Sequence, residues 1–244
     1  MGYALVCRRV ILVGLDCVTR NPESRHDNAT VPKTSMPLIS ENVVVTANQF
    51  NPTVMTQLWL VQNGILAENE GPGIYVPGFV QVKTDDFELL VLLDRLQFVP
   101  TGEQERRADL VVEKVGTIVR TLPHTPYTAA GLNFVWRSGD FPEGIAPASR
   151  RLFFKENSII ANDFMNDNAR FGAFFSKDLF GCRLKLTALP ARDVVSGDEF
   201  LEYSFNFHRD VTGPDSVQAI TETLAIWDPA RQFSRELASR LEGG

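Results

Sequence analysis

Apolar and polar residues alternate along two segments in the second half of the chain. In Cys182–Leu189 and Glu199–His208, every second residue is apolar, which is typical of strands with one buried and one wet face. Ala169–Ser176 precedes them, and Lys177–Gly181 is the predicted hairpin connection. The pattern predicts an antiparallel meander.

The first half of the chain contains both strand and helix patterns. Arg107–Leu122 carries its apolar residues in one stripe at helical spacing, and Pro123 ends the predicted helix. Asn51-Pro52 is a helix-start signal. Together with the predicted strands, the order is strand, helix, strand, strand, helix, strand, as in a ferredoxin-like (split βαβ) fold. The strands are Asn42–Phe50, Phe79–Lys83, Phe87–Val99 and Tyr127–Arg137.

Helical spacing returns at the C-terminus. A helix from Pro214 is predicted to bury Trp227, and Trp136 on the last strand of the first half is predicted to be a core residue as well. After Pro229, a narrow stripe follows at four-residue spacing, and it is predicted either to dock on the protein's own sheet or to form an interface with another chain. The stripe consists of Phe233, Leu237 and Leu241.

These patterns predict an α+β fold in two halves. Residues 38–137 form the ferredoxin-like half, and residues 148–244 form the antiparallel meander with the C-terminal helices. Residues 1–37 are an N-terminal extension and linker, rich in turn-forming residues from position 18 onward. Two alternatives stay open for this extension: it is dispensable, or Leu5–Leu15 adds a strand to the sheet edge.

A likeness to a known family covers residues 41–137. It rests on Glu41-Asn42-Val43-Val44-Val45, on the paired strands that end near Phe98, and on Thr128–Phe134 after the long helix. In this pattern the chain resembles a sporadically distributed family of uncharacterised bacterial proteins of about 250 residues. The resemblance implies a bacterial origin and carries no expectation about mechanism.

Composition narrows the functional classes. The 244 residues include 44% hydrophobic and 22% charged residues, as in folded soluble proteins, and the net charge of −6 argues against nonspecific nucleic-acid binding. No apolar run is long enough for a membrane span, and three cysteines make neither a disulfide framework nor a zinc knuckle. We therefore expect a cytoplasmic protein with no cofactor and no metal, in which Cys182 is a buried thiol.

No signature of a nucleotide site or of an activated nucleophile occurs in the sequence. One set of positively charged side chains lies on or at the ends of strands whose other faces are apolar, and it would make a basic face for an anionic ligand, an RNA strand or an acidic partner. The set is Arg137, Arg183, Lys185, His208 and Arg209.

The sequence therefore predicts a non-enzymatic binding or regulatory protein that acts through a protein partner or as a homodimer. Two alternatives stay open. One is an enzyme with an unfamiliar site at the junction of the halves, between Arg137 and Arg151. The other is a single-stranded nucleic-acid binder that uses the basic sheet face, which the acidic net charge disfavours.

Overall fold

Nine antiparallel strands of the described residues form one continuous sheet. The computed structural model describes residues 36–70, 73–139 and 141–242. The strand order is β2-β3-β4-β5-β1-β6-β9-β8-β7. The strands are β1 (Leu38–Ala47), β2 (Gly73–Val76), β3 (Phe79–Lys83), β4 (Phe87–Val91), β5 (Arg95–Pro100), β6 (Tyr127–Arg137), β7 (Ala173–Leu179), β8 (Cys182–Arg192) and β9 (Glu199–Asp210).

Helices pack on one face of this sheet, because the inward residues of nearly every strand are apolar and buried. Five π-helical residues, Val111–Val115, join α2 and α3 into one helical segment. Short 3₁₀ turns lie at Pro52–Val54, Gln104–Arg106 and Ala161–Phe164. The helices are α1 (Gln57–Gln62), α2 (Arg107–Leu110), α3 (Gly116–Thr121), α4 (Ile145–Phe153), α5 (Ser216–Ala225) and α6 (Trp227–Glu242). Within the described ranges, no helix is long and apolar enough to cross a membrane.

The α+β class is confirmed, whereas a ferredoxin-like first half is not. A split βαβ arrangement has four strands, whereas six strands, β1 to β6, pair here in the order β2-β3-β4-β5-β1-β6. The predicted strand Phe87–Val99 is two strands, since the chain turns at Leu92–Asp94 between β4 and β5. A run of apolar residues hid this turn, because Leu92 and Leu93 are as apolar as the strand before them.

The two halves connect their elements in the same order, and their first strands, β1 and β6, pair with each other. In each half a long first strand leads into helix or 3₁₀ turn, then into a meander whose last strand returns beside the first. β1 therefore pairs with β5, and β6 pairs with β9, while β1 and β6 pair with each other. The predicted boundary between halves is thus a connection within one sheet.

The predicted meander of the second half is present as β7, β8 and β9, and both tryptophans named from the pattern are buried. Trp136 donates its indole N–H to Ser234 Oγ at 2.8 Å, and Trp227 packs edge-on against Phe134. The predicted early strand Leu5–Leu15 lies outside the described residues.

The helix predicted from Asn51 is shorter than its pattern suggested. It comprises a 3₁₀ turn and the six-residue α1, and Leu58 of α1 is 65% exposed. Met55 and Leu60 are buried instead, because the break between the 3₁₀ turn and α1 changes which residues face the sheet.

Candidate functional site

The edge strand β7 is the most exposed strand of the sheet. Within the described residues it pairs only with β8, and the side chains of Phe174 and Phe175, which point to opposite faces, are 63% and 51% exposed. Large exposed apolar side chains on an edge strand are unusual for a protein that works alone, because such edges promote association with other chains.

The hairpin between β7 and β8 decides which backbone groups face outward. Phe180 and Gly181 form its two-residue turn with φ of 54° and 72°, the positive values of a type I′ turn. Leu179 and Cys182 therefore form a hydrogen-bonded pair, and hydrogen-bonded pairs alternate along the strand from there. The N–H and C=O groups of Phe174, Ser176 and Asp178 consequently point away from β8 toward the free edge.

Strain at Phe180 is offset by packing. A positive φ is uncommon for an aromatic residue, but the Phe180 ring lies 6.3 Å from the rings of both Phe207 and Phe233. The predicted connection Lys177–Gly181 is thus shorter than expected, and Lys177 belongs to β7.

Beside β7 lies an apolar groove of about 570 Å³, called the edge groove below. Leu184 and Leu186 of β8 form its buried floor, and α6 forms its far wall. Lys177 stands at the rim with its Nζ 4.8 Å from the centre of the Phe233 ring. The groove is lined by Phe174, Phe175, Ser176, Lys177, Leu184, Leu186, Leu237 and Leu241.

The predicted C-terminal stripe docks on the protein's own sheet. Phe233, Leu237 and Leu241 are partly buried and pack against the core. Leu237 and Leu241 also line the edge groove, so the stripe has a free side. The prediction that it forms an interface with another chain stays a prediction.

The predicted basic face is largely neutralised by ion pairs. On the face away from the helices, Arg137 lies 3.6 Å from Asp193, and Arg183 lies 3.2 Å from Asp178. His208 Nε2 is 2.9 Å from the carboxylate of Asp210. Lys185 lies on the same face and is exposed. These residues share a face, but most of their positive charge is balanced locally.

Arg209 does not lie on that face. It pairs in register with Ala130, whose side chain faces the helices, and its guanidinium donates to Glu222 of α5 at 2.9 Å. Hydrogen bonds from Gln218 and from Arg209 hold the pKa of the Glu222 carboxyl below its usual value. The strict alternation of β9 places Arg209 opposite to His208.

A ladder of asparagines crosses the centre of the open face, which the sequence analysis did not identify. Asn133 Nδ2 donates to Asn42 Oδ1 at 2.8 Å, and Asn206 Nδ2 donates to Asn133 Oδ1 at 2.7 Å. The ladder joins β1, β6 and β9 and gives this face a structural polar centre.

A buried ion cluster was also missed by sequence reasoning. Glu41 of β1 is 3% exposed and binds two guanidinium groups, Arg107 of α2 at 2.5 Å and Arg231 of α6 at 2.8 Å. It thereby ties helices of both halves to the central strand. A signal was present, because Glu41 has the same strand parity as the buried Val43 and Val45.

The side chains near the predicted junction site hold the local chain in place. Within the stretch 137–151, Arg150 donates to the backbone carbonyl of Asn166 at 2.8 Å, and Arg151 lies 3.3 Å from Glu143. The first contact secures the long connection between α4 and β7, and the second joins α4 to the segment before it.

Two further ionisable groups have pKa values that their local structure shifts. Burial raises the pKa of the Cys182 thiol, which fits the predicted core thiol. Backbone N–H groups of Ser196 and Val195 lower the pKa of the Asp193 carboxyl in the β8–β9 turn. Among the described residues, no group of three or more His, Cys, Asp or Glu side chains could hold a metal ion.

No model of a known protein family matches this chain, and no curated protein sequence matches it at a significant level. The resemblance of residues 41–137 to a bacterial family is neither supported nor contradicted by these comparisons.

Proposed function

We propose that this protein is a non-enzymatic binding protein that takes up an extended segment of a polypeptide partner at β7. The segment adds a strand to the sheet and places apolar side chains in the edge groove. Strand addition derives affinity from main-chain hydrogen bonds and specificity from pockets for alternate side chains.

The observation that carries this proposal is the combination of edge and groove in one place. β7 is seven residues long, lacks proline, and offers three outward-facing residues. The groove beside it is apolar and open, with an exposed phenylalanine at its mouth. An incoming strand would therefore find backbone partners and an apolar surface together.

A peptide selection tests this proposal. Random heptapeptides displayed on phage are selected on the wild-type protein and then measured against Ser176→Pro, which removes an outward N–H without touching the β7–β8 hydrogen bonds. Ile74→Lys on the opposite edge strand β2 is the matched control. Thermal melts establish that all three proteins are folded.

We expect selected peptides to bind the wild type and Ile74→Lys equally and to bind Ser176→Pro about tenfold more weakly or worse. Equal binding to all three proteins, or selection of no peptide, would contradict the proposal.

A further inference from the structure

The strand that fits the free edge best is β7 itself. Resting on the function proposed above, we propose that the partner is a second copy of this chain. Two copies pair antiparallel through β7 about a twofold axis at Ser176, which joins the two nine-stranded sheets. The edge of each copy is then closed by the other.

The residue order of β7 suits this pairing. Ser176 is the midpoint of Ala173–Leu179, so full overlap places Ser176 opposite its own twin. Phe174 then faces Asp178 of the other copy, and Phe175 faces Lys177. Like charges never stand directly opposite each other, which would destabilise the pair.

Backbone geometry favours the same axis. The outward residues Phe174, Ser176 and Asp178 meet one another across it, which gives about six hydrogen bonds between the copies. Moving the axis by one residue in either direction leaves one outward residue of each copy unpaired. Moving it to Lys177 would also place two lysines opposite each other.

Charges near the contact keep their present partners. Asp178 stays beside Arg183 of its own chain at 3.2 Å, and Lys177 stays over the Phe233 ring. No ion is therefore buried without a partner. The exposed ring of Phe175 lies against the aliphatic stem of the opposite Lys177, and the two edge grooves form one apolar layer on the helix side.

A disulfide at the axis tests the register. In the full chain with Cys7→Ser and Cys17→Ser, the Ser176→Cys variant brings two thiols together on a pair whose Cα atoms are about 5.5 Å apart, within the range of a disulfide. Lys177→Cys is the control, because its twin lies roughly 8 Å away in this register. Mild oxidation and a non-reducing gel measure the cross-linked fraction.

Light scattering over a range of concentrations tests the assembly. We expect a dimer mass for the wild type, and Ser176→Pro or Ser176→Glu should raise the dimer dissociation constant about tenfold or more. The glutamate variant opposes two like charges at the axis without changing the backbone, so salt should partly restore its dimer.

A monomer at every concentration would overturn the second-copy proposal, as would cross-linking of Lys177→Cys as fast as Ser176→Cys. If the wild type is monomeric but selected peptides still depend on Ser176, the partner is a different polypeptide and the proposed function stands. If the peptides also fail, both proposals are wrong.

Discussion

The two edges of the sheet belong to halves of the same connectivity but differ in their protection. β2 has four residues, and Pro72 and Pro77 flank it in sequence. β7 has seven residues and ends in a tight I′ turn. Short strands and prolines are common ways to protect an edge from other chains, and β7 has neither.

The segments that follow the first strand of each half account for a second difference. In the first half, the 3₁₀ turn Pro52–Val54 contacts β2 and β3, and Met55 and Leu60 are buried beside it. In the second half, α4 packs against β9, and the edge groove beside β7 stays open. The order in which the strands are connected determines which strands lie at the edges of the sheet. The segment that follows the first strand of each half determines whether the edge strand of that half is covered.

The largest expected effect on stability comes from Glu41, whose buried carboxylate binds arginines of both halves. Glu41→Ala leaves Arg107 and Arg231 without their buried carboxylate, so we expect a loss of about 3–5 kcal/mol in the free energy of unfolding. Urea denaturation measures it. Glu113→Ala, which removes an exposed carboxylate, is the control and should change stability little.

The next largest effect on stability is expected from Leu60 of α1, the helix that covers the sheet in the first half. Leu60→Ala empties a buried position and should cost about 2–5 kcal/mol. Leu58→Ala, two residues away on the exposed side, should stay within about 0.5 kcal/mol of the wild type. Equal effects in urea denaturation would show that α1 does not cover the sheet as described.

Proline substitutions at two neighbouring positions compare the backbone N–H groups of β7 that bond to β8 with those that face the free edge. Lys177→Pro removes an N–H that bonds to β8 and should cost about 1–3 kcal/mol. Ser176→Pro removes an outward N–H and should cost clearly less. If the order of the two melting temperatures is reversed, the assignment of the outward groups is wrong.

A charge introduced at Leu237 in the edge groove distinguishes the contribution of this residue to the docking of α6 from its contribution to the dimer. Leu237→Asp should lower stability by about 1–2 kcal/mol, because this leucine is partly buried against the core. Ser239→Asp on the exposed side is the matched control. Calorimetry and light scattering distinguish the outcomes: unchanged stability with loss of the dimer would assign the leucine to the interface alone.

The smallest expected effect on the free energy of unfolding involves buried tyrosines of both halves and appears only at high pH. Tyr127, at the start of β6, donates to the carbonyl of Leu122, and burial raises the pKa of its phenol from 10.0 to about 12. A raised pKa gives stability that is complete below pH 10 and lost as the pH rises through 12. Tyr127→Phe should flatten this part of the stability–pH curve.

Tyr203 contributes to the same alkaline region, because burial raises its pKa as well. The comparison therefore rests on the difference in slope between the wild type and Tyr127→Phe. An identical slope would show that the Tyr127 phenol ionises as freely in the folded protein as in the unfolded chain.

The local pattern of the sequence was sufficient for most elements of the second half. Strict alternation in Cys182–Leu189 and Glu199–His208 placed the meander strands and their buried faces, because a strand has a period of two. Helical spacing placed α6 and its stripe and identified Trp227 as a core residue, and strand alternation did the same for Trp136. These features depend on residues close together in the chain.

Pairing between distant strands could not be determined in this way. The ferredoxin-like order was inferred from the sequence of elements, but the direction and neighbours of β1 depend on contacts with β5 and β6 far along the chain. A hidden turn at Leu92–Asp94 changed the number of strands and therefore the topology. Element order alone is compatible with several sheets.

The candidate site likewise depended on tertiary structure. The sequence alone determined that Phe174 and Phe175 lie on a strand, that the C-terminal stripe is apolar, and that charged residues alternate with the core. Only the tertiary structure decided that β7 is an edge, that α6 forms a groove beside it, and that acidic neighbours neutralise most of the basic residues. The physical reason is that exposure, ion pairing and edge position are set by which distant segments pack together, whereas periodicity is set within each segment.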